Sequence, residues 1–460
     1  EEVYGFILAT QPKEWEKLHS AQGSDAKESL LQRIYSEVTG RGTIAVLRKG
    51  IEHLGCHFTL CYFPPSSGLN EESGRLFESN ILTVVRQVRY SVQNENSIDL
   101  VLFVNGLPIF TTELKNPLTG QDIFDAVSQY KNDRKPKGEQ FLQFGRCLAH
   151  FAVDPSNVQV TTKLEGRETF FIPFNRGWDH GAGNPPSLTS YSTSYLWTEI
   201  WMRTSLLELL QHFLHHQPST GKTRGGRTAG LGKLIFPRYH QLDAARRLVA
   251  DSQQRGAGQN YLIQHSAGSG KSNTMAWLSH RLSILHGTDD KRVFDAIIIL
   301  SDRRVIDKQL RETVRAFEQT RGVVAAIEGT SAQLKEALEN HKQIIVTTLQ
   351  KFPQIVNAVE EMSNRKFALV IDEAHSSQGG EHAQAVGKVL GTDGNIADEP
   401  TYEDMIHDQM SARKKQGNIS IFAFTATPKD KTLELFGRPR TDGTGFEAFS
   451  LYSMKQAIDE

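Results

Sequence analysis

The chain has 460 residues, 38% hydrophobic and 23% charged, with a net charge of −1. Such a length predicts two or three domains. The charge balance excludes a protein that is basic all over, though not one with a basic cleft for DNA. No run nears the roughly 20 apolar residues of a membrane helix, and the start EEVYGFILATQP lacks the charged region of a secretory leader. Cys56, Cys61 and Cys147 support neither a disulfide framework nor a zinc spacing. The expectation is a cytoplasmic protein with no membrane partner. An opening Glu in place of Met predicts that residues precede it.

Residues 1–175 read as a mixed α/β domain. ESLLQRIYSEV (28–38) has helical spacing of apolar residues, while LTVVRQVRYSV (82–92) and IDLVLFV (98–104) are β-rich. A helical spacer and flexible linker are expected over 176–235. Within it, SYLWTEIWMRTSLLELLQHFLHH (194–216) is strongly apolar, and QPSTGKTRGGRTAGLGK (217–233) is Gly/Thr-rich with basic and no acidic residues.

IDLVLFVNGLPIFTTELKNP (98–117) reads as a hairpin around Asn105–Gly106. Glu113 and Lys115 share one strand face by alternation. A plain two-residue turn sets Asp99 against Thr112, on the other face. A three-residue loop or a bulge sets it against Glu113, and this odd-loop or bulged register is the one predicted. Asp99 and Glu113 would hold Mg2+ beside a scissile phosphate, and Lys115 would add positive charge near the reacting group. A charged pair interrupting an apolar strand is costly without such a role.

From residue 236 to 460 the texture changes. Short apolar runs alternate with helical patterns: YLIQ (261–264), AIIIL (296–300), IIVTTL (344–349), FALVIDE (367–373) and ISIFAFTAT (419–427). Strands apolar on both faces with intervening helices predict a covered parallel sheet. The polar stretch 391–417 interrupts this rhythm as an insertion would.

HSAGSGKS (265–272) sits between a strand and a helical stretch. His265 holds a position that is glycine in the strict phosphate-loop form. Gly268, Ser269 and Gly270 let successive N–H groups face phosphate oxygens at a helix start, Lys271 reaches the β- and γ-phosphates of ATP, and Ser272 ligates Mg2+. STGKT (219–223) has similar letters but no preceding strand, and is rejected. At the end of FALVIDE, Asp372 joins the Mg2+ shell and Glu373 polarises the attacking water. His375 fits either a local structural hydrogen bond or a link from nucleotide state to DNA.

These residues resemble the superfamily 2 DEAD/DEAH helicases and translocases. PRYHQLDAARRL (237–248) looks like their adenine-reading motif, with Gln241 as the base contact. SDRRVIDKQL (301–310) and TTLQKF (347–352) sit where that group contacts a DNA strand. FTATP (424–428) looks like its coupling motif, through Thr425 and Thr427. The chain ends soon after it, so the resemblance implies a first RecA-like lobe without the second.

The hairpin resembles the PD-(D/E)xK nuclease fold, and more narrowly the restriction subunit of type I restriction–modification enzymes. That family adds a glutamine-bearing helix, matched in DAVSQYKNDR (125–134) by Gln129. Tyr130 follows it directly, so the family's usual Gln-x-x-x-Tyr spacing is absent. GTIAVLRKGIEHLGCHFTLCYFPP (42–65) is also family-like. A further helix carboxylate would be Glu37 or Glu78. The resemblance implies an ATP-driven translocase and Mg2+-dependent endonuclease, acting on double-stranded DNA with methylation and specificity subunits. A standalone helicase–nuclease, a type III-like subunit, or a remodeller that does not cut are the alternatives.

Overall fold

In the computed structural model the chain divides into two compact units, Glu1–Tyr239 with Glu460, and His240–Asp459. The structure describes residues 1–65, 70–217, 232–301, 304–317, 322–326, 331–362, 364–372 and 417–460. Glu373, His375, the STGKT segment and nearly all of the expected insertion lie outside the described residues.

The first unit opens with helices α1 (Glu2–Thr10), α2 (Pro12–Gln22), α3 (Ala26–Arg41) and α4 (Thr43–Lys49). Pro12 opens α2, where its missing N–H leaves no helical bond unmade. In α3, Leu30, Ile34 and Val38 recur every four residues and form one buried stripe. A small hairpin of β1 (Ile51–His53) and β2 (Cys56–Phe58) follows, then α5 (Glu71–Glu78), capped where Asn70 accepts the N–H of Ser73.

Six strands then form one sheet in chain order: β3 (Leu82–Arg89), β4 (Ser97–Val104), β5 (Leu107–Leu114), β6 (Ala149–Val153), β7 (Val158–Thr161) and β8 (Ile172–Pro173). Only the β5–β6 step is parallel. A parallel step needs a crossover, and α6 (Ile123–Asn132) supplies it, started by a reciprocal Asp122–Asp125 capping box. Ile123, Ala126 and Tyr130 of α6 pack with Ile98, Val101 and Ala152 of the sheet.

The apolar stretch 194–216 differs from the expected spacer. It breaks into a π-helical turn (Leu196–Ile200), α7 (Arg203–Glu208), a second π-helical turn (Leu209–Phe213) and the start of β9 (His215–Gln217), which pairs with β10 (Lys233–Ile235). It also packs within the first unit, where the Arg48 guanidinium donates to the carbonyl of Leu210 at 2.8 Å. Its apolar surface thus belongs to a core, which sequence alone could not distinguish from an inter-domain surface.

The second unit alternates helices and strands: α8 (Tyr239–Arg255), β11 (Asn260–His265), α9 (Lys271–Ser283), β12 (Ala296–Ser301), α10 (Arg304–Ala316), β13 (Val324–Ala326), α11 (Ser331–Glu339), β14 (Ile344–Thr348), α12 (Phe352–Glu361), β15 (Phe367–Ile371) and β16 (Ile419–Thr425). A short ribbon of β17 (Arg438–Pro439) and β18 (Phe446–Glu447) precedes β19 (Ser450–Tyr452). The main sheet runs β13-β14-β12-β15-β16-β11-β19 and every step is parallel. This is the α/β parallel sheet of a RecA-like domain. β12, β15 and β16 are buried along their whole length, and full burial of each Val, Leu or Ile stabilises by about 1.5–3 kcal/mol.

Candidate active site

The two candidate sites lie in different units, and each is built by its own sheet. In the first unit, Asn105 (φ 49°) and Gly106 (φ 78°) form a two-residue turn with Val104 opposite Leu107. Positive φ at both central residues is the twist a tight hairpin demands. Asn105 tolerates it because its buried side chain is fully used. Its Oδ1 accepts the N–H of Ile81, and its Nδ2 donates to Leu60 O and Asn80 Oδ1.

That turn alone would set Asp99 against Thr112. The register then shifts, with Phe103 opposite Pro108 but Leu102 opposite Phe110. Ile109 is the extra residue of a β-bulge. Leu100 therefore faces Thr112, and the same register places Asp99 opposite Glu113. The turn is the two-residue one, and the bulge supplies the predicted shift.

Glu113 is fully buried, and Asp99 is half-buried. Burial pushes the Glu113 carboxyl up to about 7 against the opposing pull of Arg134, and the Asp99 charge raises it further. Arg134 Nε donates to Glu113 Oε1 at 2.7 Å. Glu113 Oε2 is buried and has no hydrogen-bond partner among the described residues. Asp99 Oδ1 accepts from Gln87 Nε2 at 2.9 Å, and its Oδ2 from the N–H of Leu114 at 2.8 Å. A buried anionic oxygen without a donor is costly, and beside a second carboxylate it is the group a divalent cation would satisfy. Two hard oxygen donors fit Mg2+, which also keeps several waters. No group of three or more His, Cys, Asp or Glu among the described residues is placed to hold a metal ion.

Lys115 continues the ladder, its N–H donating to Val153 O, so alternation keeps it on the Glu113 side. Among the described residues it makes no ion pair, which leaves its charge available to a phosphate. Gln129 lies on α6 with its Oε1 buried and without a partner among the described residues. Tyr130 is instead structural: its hydroxyl bonds Thr111 Oγ1, which bonds His150 Nδ1. Glu37 pairs with Arg33 and Arg41, and Glu78 with Arg203. Neither is bonded to Asp99, Glu113 or Lys115. No sequence motif marks Gln87 or Arg134, although Arg134 closes DAVSQYKNDR (125–134).

In the second unit, β11, β16 and β15 are parallel neighbours, so their C-terminal ends share one edge. That edge gathers the glycine-bearing loop after β11, Thr425 at the end of β16 and Asp372 just past β15. Ligands of open α/β sheets bind at this edge. Gly268 (φ 76°) and Gly270 (φ 80°) take the left-handed backbone that the loop needs, and α9 begins at Lys271. Lys271 and Ser272 are half-buried in the first turn of α9, Asp372 is buried, and Thr427 is exposed.

Gln241 is held by the loop itself: its Nε2 donates to the carbonyls of Ser269 at 3.1 Å and Gly270 at 3.0 Å. Ser269 Oγ is buried with no partner among the described residues. His265 is buried, its Nε2 lies 3.0 Å from Ser450 Oγ, and burial with the nearby His240 and Lys271 pushes its pKa well below the ordinary value. In the segment 301–310, residues 302 and 303 lie outside the described residues. Residues 347–352 turn from β14 into α12 through Leu349–Lys351.

Comparison with known proteins agrees with both halves. Residues 71–169 match the family model described as Type I restriction enzyme R protein N terminus, and residues 240–460 match SWI2/SNF2 ATPase. The type I restriction enzyme SauCOLORF180P endonuclease subunit of Staphylococcus aureus is 25% identical over 308 residues, covering 66% of this chain and 30% of that protein. The SsaAORF53P endonuclease subunit of Staphylococcus saprophyticus is 24% identical over 396 residues, covering 83% of this chain and 35% of its own length. The chain thus spans about a third of these relatives' length. The crystal structure of T4 UvsW covers 49% of this chain and 34% of its own at 13% identity and a TM-score of 0.27. No described helix is long and apolar enough to cross a membrane.

Proposed function

We propose that this chain, which joins an R-protein N-terminal domain of type I restriction enzymes to an SWI2/SNF2 ATPase domain, is the nuclease and motor part of an endonuclease subunit. It would cut double-stranded DNA away from the recognition site after ATP-driven translocation, in a complex with methylation and specificity subunits. Its own DNA contacts would be mainly to backbone phosphate, and so salt-sensitive and blind to sequence.

One observation carries the nuclease half: the bulge at Ile109 sets Asp99 opposite Glu113, whose Oε2 is buried without a partner among the described residues. Mg2+ held by these two carboxylates would activate water and stabilise charge on the attacked phosphate. Lys115 would neutralise charge on the phosphate oxygens from the same strand face. Gln129 would contribute a polar contact from α6.

In the second unit, the loop N–H groups and Lys271 would hold the ATP phosphates, Ser272 and Asp372 would hold their Mg2+, and Glu373 would orient water. Gln241 would exchange its loop carbonyls for the base, and Thr425, Thr427 and His375 would pass the nucleotide state to the rest of the motor.

The test uses the complete enzyme with its partner subunits and plasmid DNA. Asp99→Ala should abolish cleavage while ATP hydrolysis continues, and Lys271→Ala should abolish both. Cleavage by Asp99→Ala would overturn the assignment. Translocation by the unaltered enzyme with no cleavage under any divalent cation would favour a remodeller that does not cut.

A further inference from the structure

Arg134 is the one basic side chain among the described residues that bonds Asp99 or Glu113, and it reaches two strands at once. Its Nε donates to Glu113 Oε1 on β5 at 2.7 Å, and its Nη2 donates to the carbonyl of Ser97 on β4 at 2.7 Å. Ser97 lies two residues before Asp99. The guanidinium is held beneath the Tyr90 ring, 5.6 Å from its centroid, and Arg134 is only 6% exposed. A planar fork with fixed donor directions can hold two acceptors in one geometry, which a lysine ammonium on a flexible stem does poorly.

The same network continues to Asp99. Ser97 Oγ donates to Gln87 Oε1, and Gln87 Nε2 donates to Asp99 Oδ1. Gln87 sits inside β3 with φ 52°, and the ladder to β4 skips it, from Arg86–Leu100 to Val88–Ile98. A non-glycine residue in that conformation is held by its surroundings at a cost and clusters at functional sites. Here the distortion accompanies an amide seated on Asp99.

We propose that Arg134 is a positioning residue of the nuclease centre: it ties β4 to β5 and turns Glu113 so that Oε2 faces Asp99 for a divalent cation. Gln87 steadies the Asp99 end of the same network. This rests on the nuclease reading of Asp99 and Glu113. Arg134 takes one oxygen of Glu113 and leaves the other, which matches the observed pattern of one partnered and one unpartnered oxygen. Groups that orient metal ligands in this way typically change metal affinity about 10- to 100-fold when removed.

The experiment measures Mn2+ binding to the 460-residue chain by calorimetry without nucleotide, beside thermal unfolding of the metal-free protein. Glu113→Ala identifies the site: if it leaves Mn2+ binding unchanged, the metal reading of Asp99 and Glu113 fails, and this proposal with it. If Glu113→Ala removes a site, Arg134→Lys should weaken Mn2+ at that site about 10- to 100-fold in protein that is still folded, beyond any loss of unfolding temperature from the buried Ser97 contact. A merely structural arginine would lower the unfolding temperature and leave the affinity of the folded protein alone, and unchanged affinity overturns the proposal. Should Arg134→Lys not fold, the exposed Gln87→Ala carries the test. It should weaken Mn2+ several-fold, and equal affinity there also overturns the proposal.

Discussion

Asp99 Oδ2 accepts the backbone N–H of Leu114 at 2.8 Å, so the first carboxylate is pinned to the strand residue that follows the second. The bond exists only because Ile109 is inserted in β5 and moves the register by one residue. A strand slip of one residue exchanges the two faces of a sheet, and here it converts a useless Asp–Thr pair into a carboxylate pair.

Asp99→Asn separates charge from geometry. The amide oxygen still accepts from Leu114, while its NH2 cannot accept from Gln87, so the first unit should lose no more than about 1 kcal/mol. Cleavage by the complete enzyme should fall by at least about a thousandfold, since a lost metal ligand removes several kcal/mol of transition-state stabilisation. Asp99→Ala should also lose about 1–3 kcal/mol of stability with its two hydrogen bonds. Plasmid nicking and thermal unfolding measure the two effects, and Asp99→Asn cleaving within tenfold of wild type would refute the role.

Stability should depend on pH through two buried groups of opposite sign. Burial raises Glu113 from 4.5 to about 7 and lowers His150 from 6.5 to about 3. For Glu113 the folded state binds its proton more tightly, so its contribution is fully present below pH 4.5 and is lost as pH rises toward 7. For His150 the unfolded state binds the proton more tightly, so stability is lost as pH falls below 6.5. Between pH 4.5 and 6.5 the two slopes oppose. Glu113→Gln removes one of them. Relative to wild type, its first unit should lose stability on acidification at up to about 1.4 kcal/mol per pH unit, read by calorimetry. A difference that is flat with pH would contradict the assigned shift of Glu113.

The legible parts of this molecule were those set by local pattern. Runs such as Ala296–Ser301 and Phe367–Ile371 are apolar on both faces and could only be interior strands. The strand–loop–helix around HSAGSGKS was readable despite His265 because that residue ends β11 with an ordinary φ, while the left-handed backbone falls on Gly268 and Gly270. The hairpin register was readable from the chemistry proposed for it, but whether a three-residue loop or a bulge achieved it depends on how Ile109 packs. Gln87 and Arg134 were not readable at all. They reach Asp99 and Glu113 from a distorted strand position and from beyond the last turn of α6, relationships made only by tertiary structure.

The two loop glycines should respond unequally to alanine. Both have positive φ, which costs a non-glycine residue about 1–2 kcal/mol. At Gly268 a Cβ would meet nothing within 4 Å, whereas at Gly270 it would lie 2.5 Å from Gln241 Nε2. Gly270→Ala must therefore push Gln241 off the carbonyls of Ser269 and Gly270. Two lost hydrogen bonds add about 1–3 kcal/mol. Nucleotide-free thermal unfolding of the second unit should show Gly270→Ala as the less stable variant. Equal losses would mean that Gln241 does not brace the loop.

Restoring glycine at position 265 should harm the protein. His265 is buried at the end of β11, its Nε2 lies 3.0 Å from Ser450 Oγ, and the next residue, Ser266, donates its N–H to Tyr452 O at 3.0 Å. β19 thus ties the base of the glycine-bearing loop to the sheet edge, with the buried imidazole against Ser450. His265→Gly leaves a cavity and deprives Ser450 of this contact. Core truncations of this size cost about 2–5 kcal/mol, so the second unit should melt well below wild type. Fluorescent ATP should also bind no more tightly than to wild type. The left-handed positions that shape the loop are already glycine at 268 and 270, so a third glycine adds freedom to be lost on binding. Tighter nucleotide binding by His265→Gly, with unchanged unfolding, would show that the histidine blocks the loop and does not support it.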